Sequence, residues 1–112
     1  MRLKLIWALL ATILLAGDPS RGQIFYVHLF VEELGFDGAI FTKLHTQKEW
    51  EALFADRAEG FIALFGPKLG EEKRALLESE HFQERIAPHL LAFARHYAKD
   101  RPATPVCIGD EE

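Results

Sequence analysis

The sequence TQKEWEALFADRAEGFIALF, residues 46–65, decides the fold predicted for this chain. It opens with the residues of a capping box. Thr46 can accept a hydrogen bond from the backbone of Glu49, and the Glu49 carboxylate can accept one from the backbone of Thr46. His45 and Trp50 stand at the two positions of a hydrophobic staple. These signals predict that a helix begins at Thr46.

The residues after Trp50 carry the spacing of an amphipathic helix, and only Gly60 interrupts their apolar stripe. The stripe consists of Leu53, Phe54, Arg57 or Ala58, Phe61, Leu64 and Phe65. Pro67 cannot donate a backbone hydrogen bond, and it disfavours helical geometry at Gly66. We therefore expect this helix to end at Gly66 and Pro67.

Two more helices are predicted towards the carboxyl terminus. One opens at Gly70, with acidic residues in the first turn where the helix dipole favours negative charge. Pro88 then breaks or kinks the helical path. The last helix carries an apolar stripe and ends before Pro102. This stripe consists of Leu90, Leu91, Phe93, Ala94, Tyr97 and Ala98.

The segment QIFYVHLFVEEL, residues 23–34, is so apolar that its periodicity fits either a helix or a buried strand. A helix is favoured, because Gly35 follows as a left-handed cap. The alternative pairs this segment with residues 39–44 as a hairpin, which would give an α+β fold. The prediction is an all-α domain at residues 23–101, a small bundle of about four helices, followed by an extended tail at residues 102–112.

The first 22 residues have the pattern of a cleaved export signal. Arg2 and Lys4 precede an apolar run at residues 5–16. This run would make roughly 18 Å of helix, too short for the roughly 30 Å of hydrocarbon in a bilayer. We expect cleavage after Gly17 or after Gly22, which leaves a periplasmic or secreted protein without a stable membrane span. A buried N-terminal helix of a cytosolic protein is the alternative.

The composition is that of one folded domain. The chain has 112 residues, of which 49% are hydrophobic and 27% are charged. A net charge of −4 argues against nucleic acid as a partner, because phosphate binding needs a basic face. The single cysteine, Cys107, excludes an internal disulfide and a zinc site built from thiolates.

Five histidines raise the possibility of a metal or haem site. His89 and His96 lie seven residues apart, and the rise of about 10 Å prevents both from binding one ion. Either of them, or His45, could still serve singly as a cofactor ligand. Glu78 and His81 have the Glu-x-x-His spacing of helical di-iron sites, but such sites use the motif twice. A solvated helix face explains this single pair, and the expectation is that the protein holds no cofactor.

Cys107 is a leftover thiol in a chain predicted to be exported, so it could pair between molecules. Its neighbours Asp110, Glu111 and Glu112 disfavour a thiolate, which argues against a catalytic nucleophile. An intermolecular disulfide or a mixed disulfide with a redox partner is the possible role.

No catalytic residue is predicted. The sequence contains no Cys-x-x-Cys pair, no Gly-rich phosphate loop and no Gly-x-Ser-x-Gly elbow. We therefore expect an exported helical binding or accessory protein without enzymatic activity, whose partner is a protein. The alternatives are a periplasmic haem- or metal-binding protein that uses histidine ligands, and a thiol-linked dimer or redox client that acts through Cys107.

Overall fold

The computed structural model describes residues 17–105, and these residues contain helices and no strand. The elements are α1 (Pro19–Leu29), α2 (Val31–Leu34), α3 (Gly38–Thr42), α4 (Gln47–Leu77), a π-helical turn (Phe82–Ile86) and α5 (Ala87–His96). The all-α prediction is confirmed. The hairpin alternative is wrong, because both of its proposed strands lie in helical segments. The apolar run of the predicted export signal and Cys107 lie outside the described residues.

Helix α1 begins earlier than the predicted domain boundary. Its cap is Asp18, whose Oδ1 accepts a hydrogen bond from the backbone of Ser20 at 2.9 Å. Pro19 takes the first helical position, where its missing N–H costs nothing. Phe30 separates α1 from α2, and Gly35 ends α2 with φ of +83°, which confirms the predicted left-handed cap.

The start of α4 agrees with the capping-box prediction. Thr46 Oγ1 accepts from the Glu49 backbone at 3.2 Å, and Glu49 Oε1 accepts from the Thr46 backbone at 2.9 Å. The ring of His45 lies edge-on to Trp50, with 4.9 Å between the ring centroids. Local sequence alone therefore defines this helix start.

Helix α4 is not the continuous helix that the apolar stripe predicted. Ala55 is extended, and the next three residues, Asp56, Arg57 and Ala58, have φ of 54°, 62° and 59°. The chain folds back at this break, since the centroids of Trp50 and Phe65 lie only 6.4 Å apart. Fifteen residues of straight helix would separate those two residues by about 22 Å.

Pro67 does not end the helix, which was the expectation from the sequence. The backbone stays helical through Pro67, and the next break lies at Gly70, whose φ is +87°. Pro67 cannot donate to the carbonyl of Ala63. Ala63 is exposed, so water can bond to that carbonyl instead.

Pro88 kinks the helical path as predicted, and the π-helical turn shows how. A proline inside a helix cannot donate to the carbonyl four residues earlier, and its ring crowds that carbonyl. Before Pro88 the chain widens, so that the backbone N–H of Ala87 bonds to the carbonyl of Phe82, five residues back. The helix then continues as α5.

Buried aromatic rings form the core, with α1 lying closely against α5. Gly22 sets that approach, because a methyl group there would lie 2.6 Å from Cβ of Phe93 and would also meet the carbonyl of His89. The chain after α5 is held by Lys43, whose Nζ donates to the carbonyl of Arg101 at 3.0 Å. The fully buried rings are Tyr26, Phe30, Phe41, Trp50, Phe61, Phe82 and Phe93.

Candidate functional site

The candidate site is a groove of about 980 Å³ between α1 and the chain that runs from the π-helical turn into α5. We call it the basic groove. Two of its side chains come from α1, and the others come from the opposite wall. Its lining consists of Arg21, Phe25, His81, Gln83, Glu84, Arg85, Pro88 and His89.

The basic groove differs in charge from the chain as a whole. Arg21 and Arg85 face it from opposite walls, and Glu84 is the acidic residue in its lining. The complete chain has a net charge of −4. A local excess of positive charge on an acidic protein is the arrangement that attracts an anionic group to one place.

The interior of the groove offers an apolar surface beside these charges. Phe25 is partly buried, and its ring centroid lies 6.0 Å from that of His89, with an angle of 34° between the planes. Pro88 adds a second apolar surface. A ligand that carries both negative charge and an apolar group would therefore find contacts for each part.

His89 is held in one orientation by the start of α1. The backbone N–H of Asp18 donates to Nδ1 of His89 at 2.9 Å. Because Nδ1 accepts, the hydrogen of the neutral imidazole is on Nε2. The ring can then offer Nε2–H as a hydrogen-bond donor to a ligand.

The wall that carries His81 and Arg85 is fixed by two hydrogen bonds from the side chain of Gln83. Gln83 Nε2 donates to the carbonyls of Arg57 at 2.8 Å and Leu77 at 3.0 Å. These two bonds tie the π-helical turn to both ends of the second half of α4. This wall of the basic groove is therefore held against α4 by hydrogen bonds.

The cofactor candidates from the sequence do not come together at one point. His89 lines the basic groove, whereas His45 packs on Trp50, with its Nδ1 3.5 Å from the Glu49 carboxylate. His96 is exposed beside Tyr97, next to a separate cavity of about 190 Å³. The geometry therefore brings only His89 and His81 to a shared site.

Glu78 and His81, the predicted metal pair, do not lie on successive turns of one helix. Helix α4 ends at Leu77, and Glu78 is its C-terminal cap. His81 lines the basic groove, but Glu78 lines a different cavity with Asp56. In residues 17–105, no group of three or more His, Cys, Asp or Glu side chains is placed to hold a metal ion.

Sequence reasoning missed the two arginines and Phe25. Arg21 falls within the 22 residues predicted to be the leader, and none of the sequence motifs includes Arg85. The spacing of Arg21 and Phe25, four residues apart, would put them on one helix face once α1 is known to start at Pro19. The N-terminal signal Asp18-Pro19 was the available clue.

Comparisons with known proteins give no family for this chain. No family model matches it. No curated protein and no solved structure matches it either. Helices within the described range also lack the combination of length and apolar character that crossing a membrane requires.

Proposed function

We propose that the protein is an exported accessory protein that acts by binding an acidic segment of a partner protein in the basic groove. The observation that carries this proposal is that Arg21 and Arg85 line the same groove as the apolar side chains of Phe25 and Pro88. The export part of the proposal is supported by Arg2, Lys4 and the apolar run that follows them.

A peptide segment suits the groove better than a single small ion does. The volume of about 980 Å³ is that of a site for several side chains. Carboxylates of the segment would pair with Arg21 and Arg85, because a guanidinium can bond both oxygens of a carboxylate. An aromatic or branched aliphatic side chain beside them would cover Phe25. Nε2–H of His89 supplies a further donor.

Binding is favoured over catalysis by the residue types in the groove. The lining contains no serine, threonine, cysteine or lysine that could act as a nucleophile. The groove contains two arginines, and arginine is enriched at protein recognition sites. This composition supports recognition of a partner.

The test is a fluorescence titration of the exported protein with two labelled peptides. One alternates aspartate with phenylalanine, and the matched peptide has asparagine in place of every aspartate. We expect the acidic peptide to bind more tightly and to lose affinity as salt is added. Arg21→Gln and Arg85→Gln should each weaken its binding about tenfold, since a lost charged hydrogen bond costs about 1.4 kcal/mol.

Arg74→Gln is the matched control, because Arg74 lines a cavity other than the basic groove. It removes the same charge and should leave the affinity unchanged. Equal binding of the acidic and neutral peptides would refute the proposal. So would equal losses in Arg74→Gln and Arg85→Gln, since that result would reflect net charge alone.

A haem or metal carrier is the second candidate, because His81 and His89 both line the groove. Nδ1 of His89 is engaged with Asp18, so only Nε2 could bind a metal. The absorbance spectrum and metal content of protein isolated from its native compartment test this candidate. The third candidate, a thiol-linked dimer or redox client through Cys107, is tested by non-reducing electrophoresis against Cys107→Ser.

A further inference from the structure

We propose that the protein binds a phosphate group in a cavity that is separate from the basic groove. This cavity has a volume of about 190 Å³, and we call it the anion cavity. It lies where the end of α5 and the chain that follows α5 meet the start of α4. Its polar side chains are those of Gln47, Arg95, His96 and Arg101.

The lining of the anion cavity contains positive charge and no carboxylate. Arg95 and Arg101 each contribute a guanidinium. His96 adds an imidazole, which can donate a hydrogen bond. The complete chain, by contrast, has a net charge of −4. A cavity lined in this way on an acidic protein attracts an anion to one place.

The two guanidinium groups have hydrogen-bonding capacity that their protein neighbours do not use. Nε of Arg95 is buried, and Glu51 Oε2 lies 3.0 Å from it, but the N–H is not directed at that oxygen and makes no hydrogen bond. Among residues 17–105, the guanidinium of Arg101 makes neither a hydrogen bond nor an ion pair. An anion with several acceptor oxygens is a ligand that can satisfy such donors.

Two carboxylates lie beside the anion cavity, and both have other partners. Asp100 Oδ1 accepts from the backbone N–H of Gln47 at 3.0 Å. Glu51 forms the ion pair with Nε of Arg95. Neither carboxylate lines the cavity, so the charge of Arg101 is left for a ligand.

The segment that carries Arg101 is held in place by Lys43. Nζ of Lys43 donates to the carbonyls of Ala98 at 3.2 Å, Arg101 at 3.0 Å and Ala103 at 2.6 Å. The backbone N–H of Arg101 also donates to the carbonyl of Ala98 at 2.9 Å. Because this backbone is ordered before a ligand arrives, binding costs less conformational entropy.

The size of the anion cavity favours a phosphate group over a peptide segment. A volume of about 190 Å³ is below the roughly 300 Å³ at which sites for drug-sized ligands begin. A guanidinium bonds two oxygens of one phosphate at the same time, and two guanidinium groups match its double negative charge. The phosphate is either the free ion or the end of a phosphate monoester, since both present the same oxygens.

The experiment is a calorimetric titration of the exported protein with inorganic phosphate, at an ionic strength held constant with sodium chloride. We expect saturation at one phosphate per chain. Arg101→Gln should weaken the affinity about tenfold, because charged hydrogen bonds to the ligand are lost. Arg101→Lys keeps the charge without the planar pair of donors, so it should lose less. The side chain of Arg101 is exposed, so both variants should fold, which circular dichroism checks.

Lys99→Gln and Arg85→Gln are the matched controls. Each removes one positive charge. Lys99 lies two positions from Arg101 and does not line the anion cavity, whereas Arg85 lines the basic groove. Both controls should bind phosphate like the wild type. The proposal is overturned if the titration shows no saturable site, if Arg101→Gln binds like the wild type, or if either control loses as much affinity as Arg101→Gln.

Glycerol 3-phosphate, titrated in the same way, distinguishes the two sources of the phosphate group. Tighter binding of this ester supports a monoester as the ligand, and tighter binding of inorganic phosphate supports the free ion. The inference is independent of what the basic groove binds. Failure of the acidic peptide to bind would refute the proposed function and leave the anion cavity standing.

Discussion

The backbone nitrogen of Asp18 lies 2.9 Å from Nδ1 of His89, although 71 positions separate the two residues along the chain. This contact joins the first turn of α1 to the first turn of α5. It also fixes the ring of His89 at the edge of the basic groove. One hydrogen bond thus links the start of α1 to the candidate site.

Replacing His89 should show that the stability of the fold depends more on the hydrogen-bond acceptor Nδ1 than on the size of the side chain. His89→Asn keeps an oxygen close to the position of Nδ1, whereas His89→Leu has no acceptor. We expect His89→Leu to lower the free energy of unfolding by about 1 kcal/mol, with a smaller loss in His89→Asn. Leucine is the better helix former, so helix propensity alone predicts the opposite order. Urea denaturation of both variants decides between the two orders.

Gly22→Ala should destabilise the protein, although alanine is a better helix former than glycine. The new methyl group meets a backbone carbonyl and Cβ of Phe93 across the contact with α5. We expect a loss of about 2 kcal/mol in the free energy of unfolding. Gly35→Ala is the control, since a side chain there meets nothing within 4 Å and costs only about 1 kcal/mol for its positive φ. Equal losses in the two variants would contradict this account of Gly22.

The capping box and the cap at Gly35 could be predicted because each depends on residues within a few positions of one another. The break at Ala55–Ala58 could not, since it contains no glycine or proline and its residues suit a helix. Tertiary contacts hold it there. Ala58 is buried, and the carbonyl of Arg57 accepts from Gln83. Sequence periodicity contains no information about such contacts.

The site was harder to predict than the fold. Arg21 and Arg85 belong to α1 and to the π-helical turn, and only the packing of α1 on α5 brings them to one groove. His89 was identified as a candidate, but its contact with Asp18 depends on the true start of α1. Because the domain was predicted to begin at residue 23, neither the role of Arg21 nor the contact between Asp18 and His89 could be predicted.

The stability that Glu49 contributes should be lost in acid. The hydrogen bond from the Thr46 backbone holds the pKa of Glu49 below its ordinary value of 4.5. A carboxyl with a lowered pKa in the folded state stabilises the fold above its unfolded pKa, and this stability is lost as the pH falls through the folded pKa. Glu49→Gln should therefore reduce the fall in stability below about pH 4.5. The measurement is the thermal denaturation of the wild type and of Glu49→Gln across this pH range, with Glu59→Gln as the control.

Tyr26 should affect the stability of the fold at the alkaline end of the pH range. Burial raises the pKa of its phenol above the ordinary value of 10.0, and the charge of Asp37 raises it further. An acid with a raised pKa stabilises the fold below its unfolded pKa, and this contribution is lost as the pH rises above that value. The hydroxyl also donates to the carbonyl of Phe36 at 2.6 Å.

Tyr26→Phe should cost about 1 kcal/mol at neutral pH, because the carbonyl of Phe36 loses its donor. The same variant should lose less stability than the wild type between pH 9 and pH 11, as about 10 is the value at which a free tyrosine titrates. Tyr97→Phe is the control, because Tyr97 is only partly buried. Parallel alkaline curves for wild type and Tyr26→Phe would show that Tyr26 does not titrate with unfolding.

Asp56→Gly should make the protein more stable, which is unusual for a glycine placed within a helical segment. Asp56 has φ of 54°, and the left-handed conformation costs most residues roughly 1 to 2 kcal/mol and aspartate somewhat less, because its short side chain can bond locally. Glycine adopts it freely and loses about 0.5 to 1 kcal/mol to its greater freedom when unfolded, so a net gain of at most about 0.5 kcal/mol is expected. Glu59→Gly is the matched control, three positions later at an exposed site, where the backbone is helical and a loss of about 1 kcal/mol is expected. If both variants lose stability equally in urea, the left-handed turn at Asp56–Ala58 does not exist in solution, and the fold-back of α4 that it creates would have to be abandoned.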